Sequence, residues 1–196
     1  IEFEFLFGFK EVEGIQSRTD FDLSNHQKYS GKKLQYFDPE TNESYVPYVV
    51  ETSIGLDRTF LLVLSSAYTE EKLTKEDGTV DERVVLKIPA ALAPVKLAIF
   101  PLVKKDGLPE MARKIMDDLK FDFACQYEEK DTIGKRYRRH DAIGTPFCIT
   151  IDHQTLEDET VTIRYRDTME QERVPASKLR EIMSEKVSIA TLLKKI

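Results

Sequence analysis

The chain has 196 residues, 41% of them hydrophobic and 33% charged, with a net charge of −6 at pH 7. That balance fits a soluble globular protein with a real core, in one large or two small domains. The acidic surplus speaks against indiscriminate nucleic-acid binding by the whole surface, and no run is long and apolar enough to cross a bilayer as a helix.

Ile1 to Phe9 alternates and reads as one strand, with Phe3, Phe5, Phe7 and Phe9 on one side and Glu2, Glu4 and Leu6 on the other. The chain opens inside this run, with acids where a secretory signal has a basic start and without an initiator methionine, and reads as a piece of a longer protein. Arg18 to Gln27 follows as a short helix, with Thr19 as its N-cap and Asp20 and Asp22 in the first turn. Ser30 to Ser44 is rich in turn residues and reads as a hairpin.

The most informative stretch comes next. Tyr45 to Val50 is β-branched and aromatic, as in a strand, and Thr59 to Leu64 continues into an apolar run read as a buried helix. Between them, Glu51-Thr52-Ser53-Ile54-Gly55-Leu56-Asp57-Arg58 turns strand into helix at Gly55. Such a turn offers unpaired backbone N–H groups and the positive end of the helix dipole to an anion. Glu51 and Ser53, two apart, share a strand face, and Arg58 in the first helical turn can reach a phosphate. A carboxylate for an ammonium, with a hydroxyl and a cation for phosphate, describes a site for an amino acid beside a nucleotide.

Residues 70–88 are acidic and read as a solvated linker between domains at 1–69 and 89–196. Beyond them strands alternate with helices. Val95 to Leu102 is apolar enough to be buried on both faces, Pro109 opens an amphipathic helix, and strands follow at Phe121 to Tyr127, Phe147 to Ile151, Thr160 to Arg166 and Glu172 to Val174. Helices at Ala176 to Met183 and Ser188 to Lys195 end the chain. Cys125 and Cys148 lie far apart in apolar runs and read as free thiols in a reducing cytoplasm. The cluster Lys135, Arg136, Arg138 and Arg139 has two readings: pairing with Glu128, Glu129 and Asp131, or contact with RNA phosphates, with Tyr137 or His140 free to stack on bases.

The Glu51–Arg58 stretch resembles motif 3 of class II aminoacyl-tRNA synthetases, in the version found in glycyl-tRNA synthetases. Glu11-Val12-Glu13-Gly14-Ile15-Gln16-Ser17-Arg18-Thr19-Asp20-Phe21-Asp22-Leu23 is similar to a stretch specific to that family, and Glu2-Phe3-Glu4-Phe5 to the end of its motif 2. Pro89 to Lys96, Asp131 to Phe147 and Arg166 to Gln171 resemble the anticodon-binding domain shared by the histidyl, glycyl, threonyl and prolyl enzymes.

The resemblance implies a mixed α/β (α+β) fold: part of the antiparallel class II sheet with its motif 3 helix, then a mixed sheet flanked by helices. It implies ATP-dependent ligation of glycine to tRNA(Gly) through glycyl-adenylate, without a general base, by a cytoplasmic homodimer. Glycine would meet Glu2, Glu51, Thr52, Ser53, Ile54 and Gly55. ATP would meet Glu11, Val12, Gly55, Leu56, Asp57 and Arg58, with Arg58 the catalytic cation and Glu11 a ligand for Mg²⁺. Arg18 would have a structural or substrate-orienting role, and His26 none in catalysis. A crowded pocket would reject any side chain larger than hydrogen. The competing reading is a non-catalytic synthetase-like RNA-binding or polymerase-accessory protein; Glu51, Ser53 and Arg58 weigh against it, because a retired site need not keep them.

Overall fold

The computed structural model describes residues 1–74 and 78–194. They divide into two units, Ile1–Ser65 and Ser66–Ile196.

The first unit is built from three two-stranded antiparallel pairs. Strand β1 (Glu2–Phe5) returns as β2 (Gly8–Glu11), pairing Phe5 with Gly8 and Glu2 with Glu11. The single strand expected over residues 1–9 is therefore a hairpin. Its two-residue turn, Leu6-Phe7, closes because Gly8 takes a φ of 95°, open to glycine at no steric cost. Folding the run back stacks Phe7 on Phe5, with ring centres 5.2 Å apart and planes 4° from parallel. β3 (Glu13–Thr19) pairs with β6 (Val49–Ile54), and β4 (Tyr36–Asp38) with β5 (Glu43–Tyr45), the hairpin expected between Ser30 and Ser44.

Helix α1 (Phe21–Ser30) starts three residues later than its sequence suggests. Thr19 is in the left-handed region, with a φ of 53°, and its hydroxyl donates to the Arg18 carbonyl, so it caps nothing. Asp20 takes the N-cap position, and its carboxylate accepts from the Ser24 hydroxyl. β6 also begins later than expected, beyond Pro47, which has no N–H for a ladder. Helix α2 (Leu56–Ala67) is not the buried helix its composition suggests: among its residues only Ala67 is buried, and Leu56 is 81% exposed. The two-stranded pairs of this unit offer too little apolar area to cover a helix that is apolar on most sides.

The second unit opens with a correction. The residues read as a linker, 70–88, form most of a hairpin, β7 (Tyr68–Thr74) with β8 (Val80–Leu86). Residues 75–77 of the expected linker lie outside the described residues. The charges that suggested solvent are paired across the ladder: Glu71 stands opposite Arg83, and Lys72 opposite Glu82 at 3.7 Å. Val85 is buried on the same face as Arg83.

The rest is a five-stranded mixed sheet in the order β10 (Cys125–Tyr127), β9 (Leu97–Pro101), β11 (Phe147–Ile151), β12 (Thr160–Tyr165), β13 (Gln171–Pro175). The first three strands are parallel, β12 runs antiparallel to β11, and β13 turns back antiparallel to β12. Helices cover both faces, which is why β9 and β11 are buried at every residue. Leu97, Ile99, Ile149, Ile151, Val161 and Ile163 pack with α3 (Leu108–Leu119) and α6 (Leu179–Lys186). Ala98, Phe100 and Cys148 face the other way, onto Ile133 and Tyr137 of α4 (Ile133–Ala142). Burying each large aliphatic side chain here contributes roughly 2 kcal/mol.

The strand expected over 121–127 is only Cys125–Tyr127, because the chain after α3 closes a turn in which the Phe123 N–H donates to the Leu119 carbonyl, leaving Phe121 exposed. A short helix that the sequence reading missed, α5 (His153–Asp158), starts from Asp152, whose carboxylate accepts from the Thr155 N–H while the Thr155 hydroxyl accepts from the Asp152 N–H. A 3-10 turn (Ala176–Lys178) leads into α6, and Ser188 caps α7 (Ile189–Leu193) through the Ala190 N–H.

Candidate functional site

In the first unit, β6 carries Glu51 to Ile54, Gly55 breaks the strand, and α2 begins at Leu56. The Gly55 carbonyl accepts from both the N–H and the hydroxyl of Thr59, closing the first turn. Arg58, one turn in, donates to the main-chain carbonyl of Glu11. The helix start is thereby tied to the end of β2.

The β3–β6 register sorts the remaining residues by face. Gly14 pairs with Ser53 and Gln16 with Glu51, so these four share a side. Ser53 Oγ, Gln16 Nε2 and Glu11 Oε1 all lie within 4.0 Å of the point where a Cβ on Gly14 would stand. Thr52 and Ile54 pair with Ile15 and Glu13 on the opposite side. The side chains of Thr52 and Ile54 consequently point away from Ser53 and Glu51, which share a face as their spacing of two suggested.

Glu51 is not a free carboxylate. Arg18 holds Asp22 through two hydrogen bonds of 2.8 and 3.0 Å and lies 3.4 Å from Glu51. The bond from Arg18 keeps the Asp22 carboxyl below the usual carboxylate range. Glu2 is exposed and stands opposite Glu11 at the open end of the first hairpin. Val12 is buried and gives its N–H to the Ile1 carbonyl at 2.9 Å, so its side chain belongs to the core.

Beside this cluster lies an open cavity of about 690 Å³, lined by Phe5, Phe7, Lys10, Gly55, Leu56, Asp57, Arg58 and Leu61. It joins a stacked aromatic pair and two cations. Phe5, Phe7 and Lys10 were missed as candidates because the alternation of residues 1–9 reads as an uninterrupted strand; the signal was Gly8, the residue that lets the run fold back. Among the described residues, no group of three or more His, Cys, Asp or Glu side chains is placed to hold a metal ion.

In the second unit the basic cluster resolves into different roles. Arg136 is 2% exposed, and its guanidinium donates to the carbonyls of Pro101, Leu102 and Asp131 at 2.6, 3.3 and 3.2 Å. It caps the end of β9 and the loop after β10 and is closed to solvent. Arg138 pairs with Asp81 of β8, and Arg139 with Glu128 at 2.5 Å and Asp131 at 2.9 Å. Of the pairing with Glu128, Glu129 and Asp131 that the sequence suggested, Arg139 alone of these three makes ion pairs, with Glu128 and Asp131; Arg138 takes Asp81 instead, and Arg136 takes main-chain carbonyls. Lys135 stays exposed. Tyr137 and His140 are likewise committed: the Tyr137 hydroxyl meets Thr150 Oγ1 at 2.7 Å, and His140 is buried against Phe100 with Nδ1 3.0 Å from Thr145 Oγ1. Burial holds the His140 imidazole below its ordinary range.

A buried ionic network accompanies α4. The carboxylate of Asp141, fully buried, accepts from Arg164 at 2.8 and 3.0 Å and from Arg83 at 3.1 Å. Arg83 also donates to the Arg166 carbonyl at 3.0 Å and pairs with Glu71. On the far strands Arg173 clasps Asp152 at 2.7 and 2.9 Å, and that bond pulls the Asp152 carboxyl down to about 2. The thiols of Cys125 and Cys148 are free, and burial pushes them up to about 11 and about 12.

Residues 96–186, which hold the whole five-stranded sheet, match the family model described as an anticodon binding domain. The structure superposes with a TM-score of 0.69 on the crystal structure of the RNA binding domain of threonyl-tRNA synthetase from Cryptosporidium parvum Iowa II, over 94% of this chain and 41% of that one, at 19% identity, a likeness of fold. In sequence the chain is 56% identical over 187 residues to a glycine–tRNA ligase of Chlorobaculum tepidum, covering 95% of this chain, and 49% identical over 180 residues to that of Treponema denticola, covering 91%. The chain belongs to the glycine–tRNA ligase family. It spans 39% and 40% of the length of those two relatives.

Proposed function

We propose that the chain takes part in the ATP-dependent ligation of glycine to tRNA, its first unit contributing to the amino-acid and nucleotide site and its second binding the RNA. The observation that carries this reading is the strand–glycine–helix turn of residues 51–58, with Arg58 bonded to Glu11 across 47 residues and a cavity between cations and aromatic rings beside it.

That cavity suits ATP. The stacked Phe5 and Phe7 rings present an apolar wall to a purine, and Lys10 and Arg58 are placed for phosphate oxygens. The N-terminus of α2 adds backbone N–H groups at Gly55, Leu56 and Asp57. Glu11, whose main-chain carbonyl Arg58 holds, has a carboxylate that suits Mg²⁺ arriving with the phosphates, a cation that neutralises their charge. Glycine's carboxylate attacks the α-phosphorus, pyrophosphate leaves, and the tRNA 3′ end then accepts the glycyl group from the adenylate. The chain's residues act by position and charge: Arg58 offsets negative charge as it builds, while Ser53 and Glu51 orient the amino acid.

For RNA contact we retain Lys135, flanked by the half-exposed Arg138 and Arg139, whose acid partners can yield to phosphate; Arg136 is withdrawn from that list. A homodimer in the cytoplasm is the assembly and compartment that fit the family. The test is amino-acid-dependent ATP–pyrophosphate exchange by the full-length protein across all standard amino acids. Exchange with glycine alone is expected. No exchange with any of them, from folded protein that still binds tRNA, would overturn the reading in favour of a non-catalytic relative.

A further inference from the structure

We propose that Asp22 is a positioning residue for glycine activation: it occupies one edge of the Arg18 guanidinium and so keeps that cation from closing on Glu51, whose carboxylate stays open to the amino acid. The assignment rests on the function proposed above and adds to it a residue of α1, outside the turn of residues 51–58.

The backbone aims Arg18. Along the β3–β6 ladder the register steps from Ser17–Val50 to Thr19–Val49, so Arg18 is the extra residue of a β-bulge, a device that redirects the side chain it carries. The next residue fixes the turn. Thr19 stands in the left-handed region at a φ of 53°, rare for a β-branched residue, with its hydroxyl donating to the Arg18 carbonyl at 2.6 Å. The chain then enters α1, and its first turn brings Asp22, four positions on, against the guanidinium.

Arg18 Nε and Nη2 donate to the two carboxylate oxygens of Asp22 at 2.8 and 3.0 Å, a side-on fork. Glu51 Oε2 lies 3.4 Å from the same Nε, whose single hydrogen is already given to Asp22. Glu51 therefore feels the cation's charge without receiving that N–H. Both carboxylates hold the guanidinium above its ordinary range, Asp22 first, through its hydrogen bond and its charge, and Glu51 through charge alone. Two carboxylates against one guanidinium leave a net negative charge, the sign that draws an ammonium. Without Asp22 the fork is free to turn onto Glu51, and a bidentate pair there would cancel that charge and engage the oxygens that orient the amino acid. Stability gives the fork little purpose of its own, since a partly exposed pair four residues apart on a helix contributes little to it.

The experiment is ATP–pyrophosphate exchange by the full-length protein, read as separate KM values for glycine and ATP, with the urea midpoint of each variant beside them. The wild type comes first: without glycine-dependent exchange the proposed function itself fails, and this role with it. Given that exchange, Asp22→Ala is expected to raise the glycine KM about tenfold or more, the effect of a misplaced orienting group, with the ATP KM and the midpoint unchanged. Asp22→Glu, which returns a carboxylate to the same helix position, should recover most of the loss. An unchanged glycine KM in Asp22→Ala, or both KM values rising with a lowered midpoint, overturns the role. Should Asp22→Ala fail to fold, Asp22→Asn, which keeps the shape and loses the charge, is read in the same way. Arg18→Lys supplies the second arm, because an ammonium has no fork for Asp22 to occupy. In that background Asp22→Ala should change the glycine KM less than about twofold, since the two residues act as one unit. The same tenfold effect in both backgrounds would show that Asp22 does not act through Arg18, and would overturn the proposal.

Discussion

The guanidinium of Arg58 donates to the main-chain carbonyl of Glu11, so the first turn of α2 and the last residue of β2 are held by one side chain. A cation already anchored at one nitrogen keeps its other donors in a narrow range of directions. That is the preorganisation an electrostatic clamp needs, because little has to move as charge develops. Arg58→Ala in the full-length protein is expected to lose on the order of 3 kcal/mol of transition-state stabilisation in the exchange reaction. Arg58→Lys should recover only part, since an ammonium lacks the planar fork that can hold a carbonyl and a phosphate together. Wild-type exchange in Arg58→Ala would remove Arg58 from the site.

Asp141 is fully buried between Arg83 and Arg164. Asp141→Asn keeps the shape and removes the charge, leaving two buried guanidinium groups short of an anion. A loss of roughly 3–5 kcal/mol is expected, read as a lower urea midpoint with an unchanged slope. A midpoint equal to wild type would show that Glu71 alone balances the network.

The Asp152–Arg173 clasp sets an acid limit. Its carboxyl binds a proton near pH 2 in the folded chain and near 3.8 otherwise, so its contribution is complete above roughly pH 4 and fades as pH falls toward 2. The amount is on the order of 1–2 kcal/mol. Asp152→Asn should flatten this part of the stability curve, measured as denaturation midpoint against pH. His140 acts at a higher pH. Burial keeps it neutral in the fold while the unfolded ring takes a proton near 6.5, so stability should begin to fall below about that value. His140→Phe would abolish that early decline.

Lys135 and Arg136 are adjacent in sequence and should separate in behaviour. Lys135→Ala is expected to weaken tRNA binding and reduce the salt dependence by about one counterion, with stability unchanged. Arg136→Met should lower the melting temperature by leaving the Pro101, Leu102 and Asp131 carbonyls unpaired, while the protein that remains folded binds RNA as before. The opposite pattern would return Arg136 to the RNA surface.

These contrasts show where the sequence was legible. The strands of the mixed sheet stood out because burial on both faces leaves unbroken apolar runs such as Leu97–Pro101 and Phe147–Ile151. The Gly55 turn was legible because one glycine separates two periodicities. The hairpin β7–β8 was not, because its signal is charge: Glu71 and Arg83 look like solvent-seeking residues until the ladder sets them opposite each other. Arg136 failed in the same way. Nothing local distinguishes an arginine that caps strand-end carbonyls from one that faces water, since its partners Pro101 and Leu102 are 35 and 34 residues away. The aromatic wall at Phe5 and Phe7 was hidden by an alternation that mimics a straight strand.

The reach of Arg83 bears on how the second unit can be cut free. Trimming the chain at residue 89, where its composition changes, would discard β8 and with it one of the two arginines that neutralise Asp141. Trimming at residue 66 keeps the hairpin and its anchor. The longer piece should express as a cooperatively melting domain, with the amides of β8 among those slowest to exchange with solvent deuterium, and the shorter piece should be prone to aggregate.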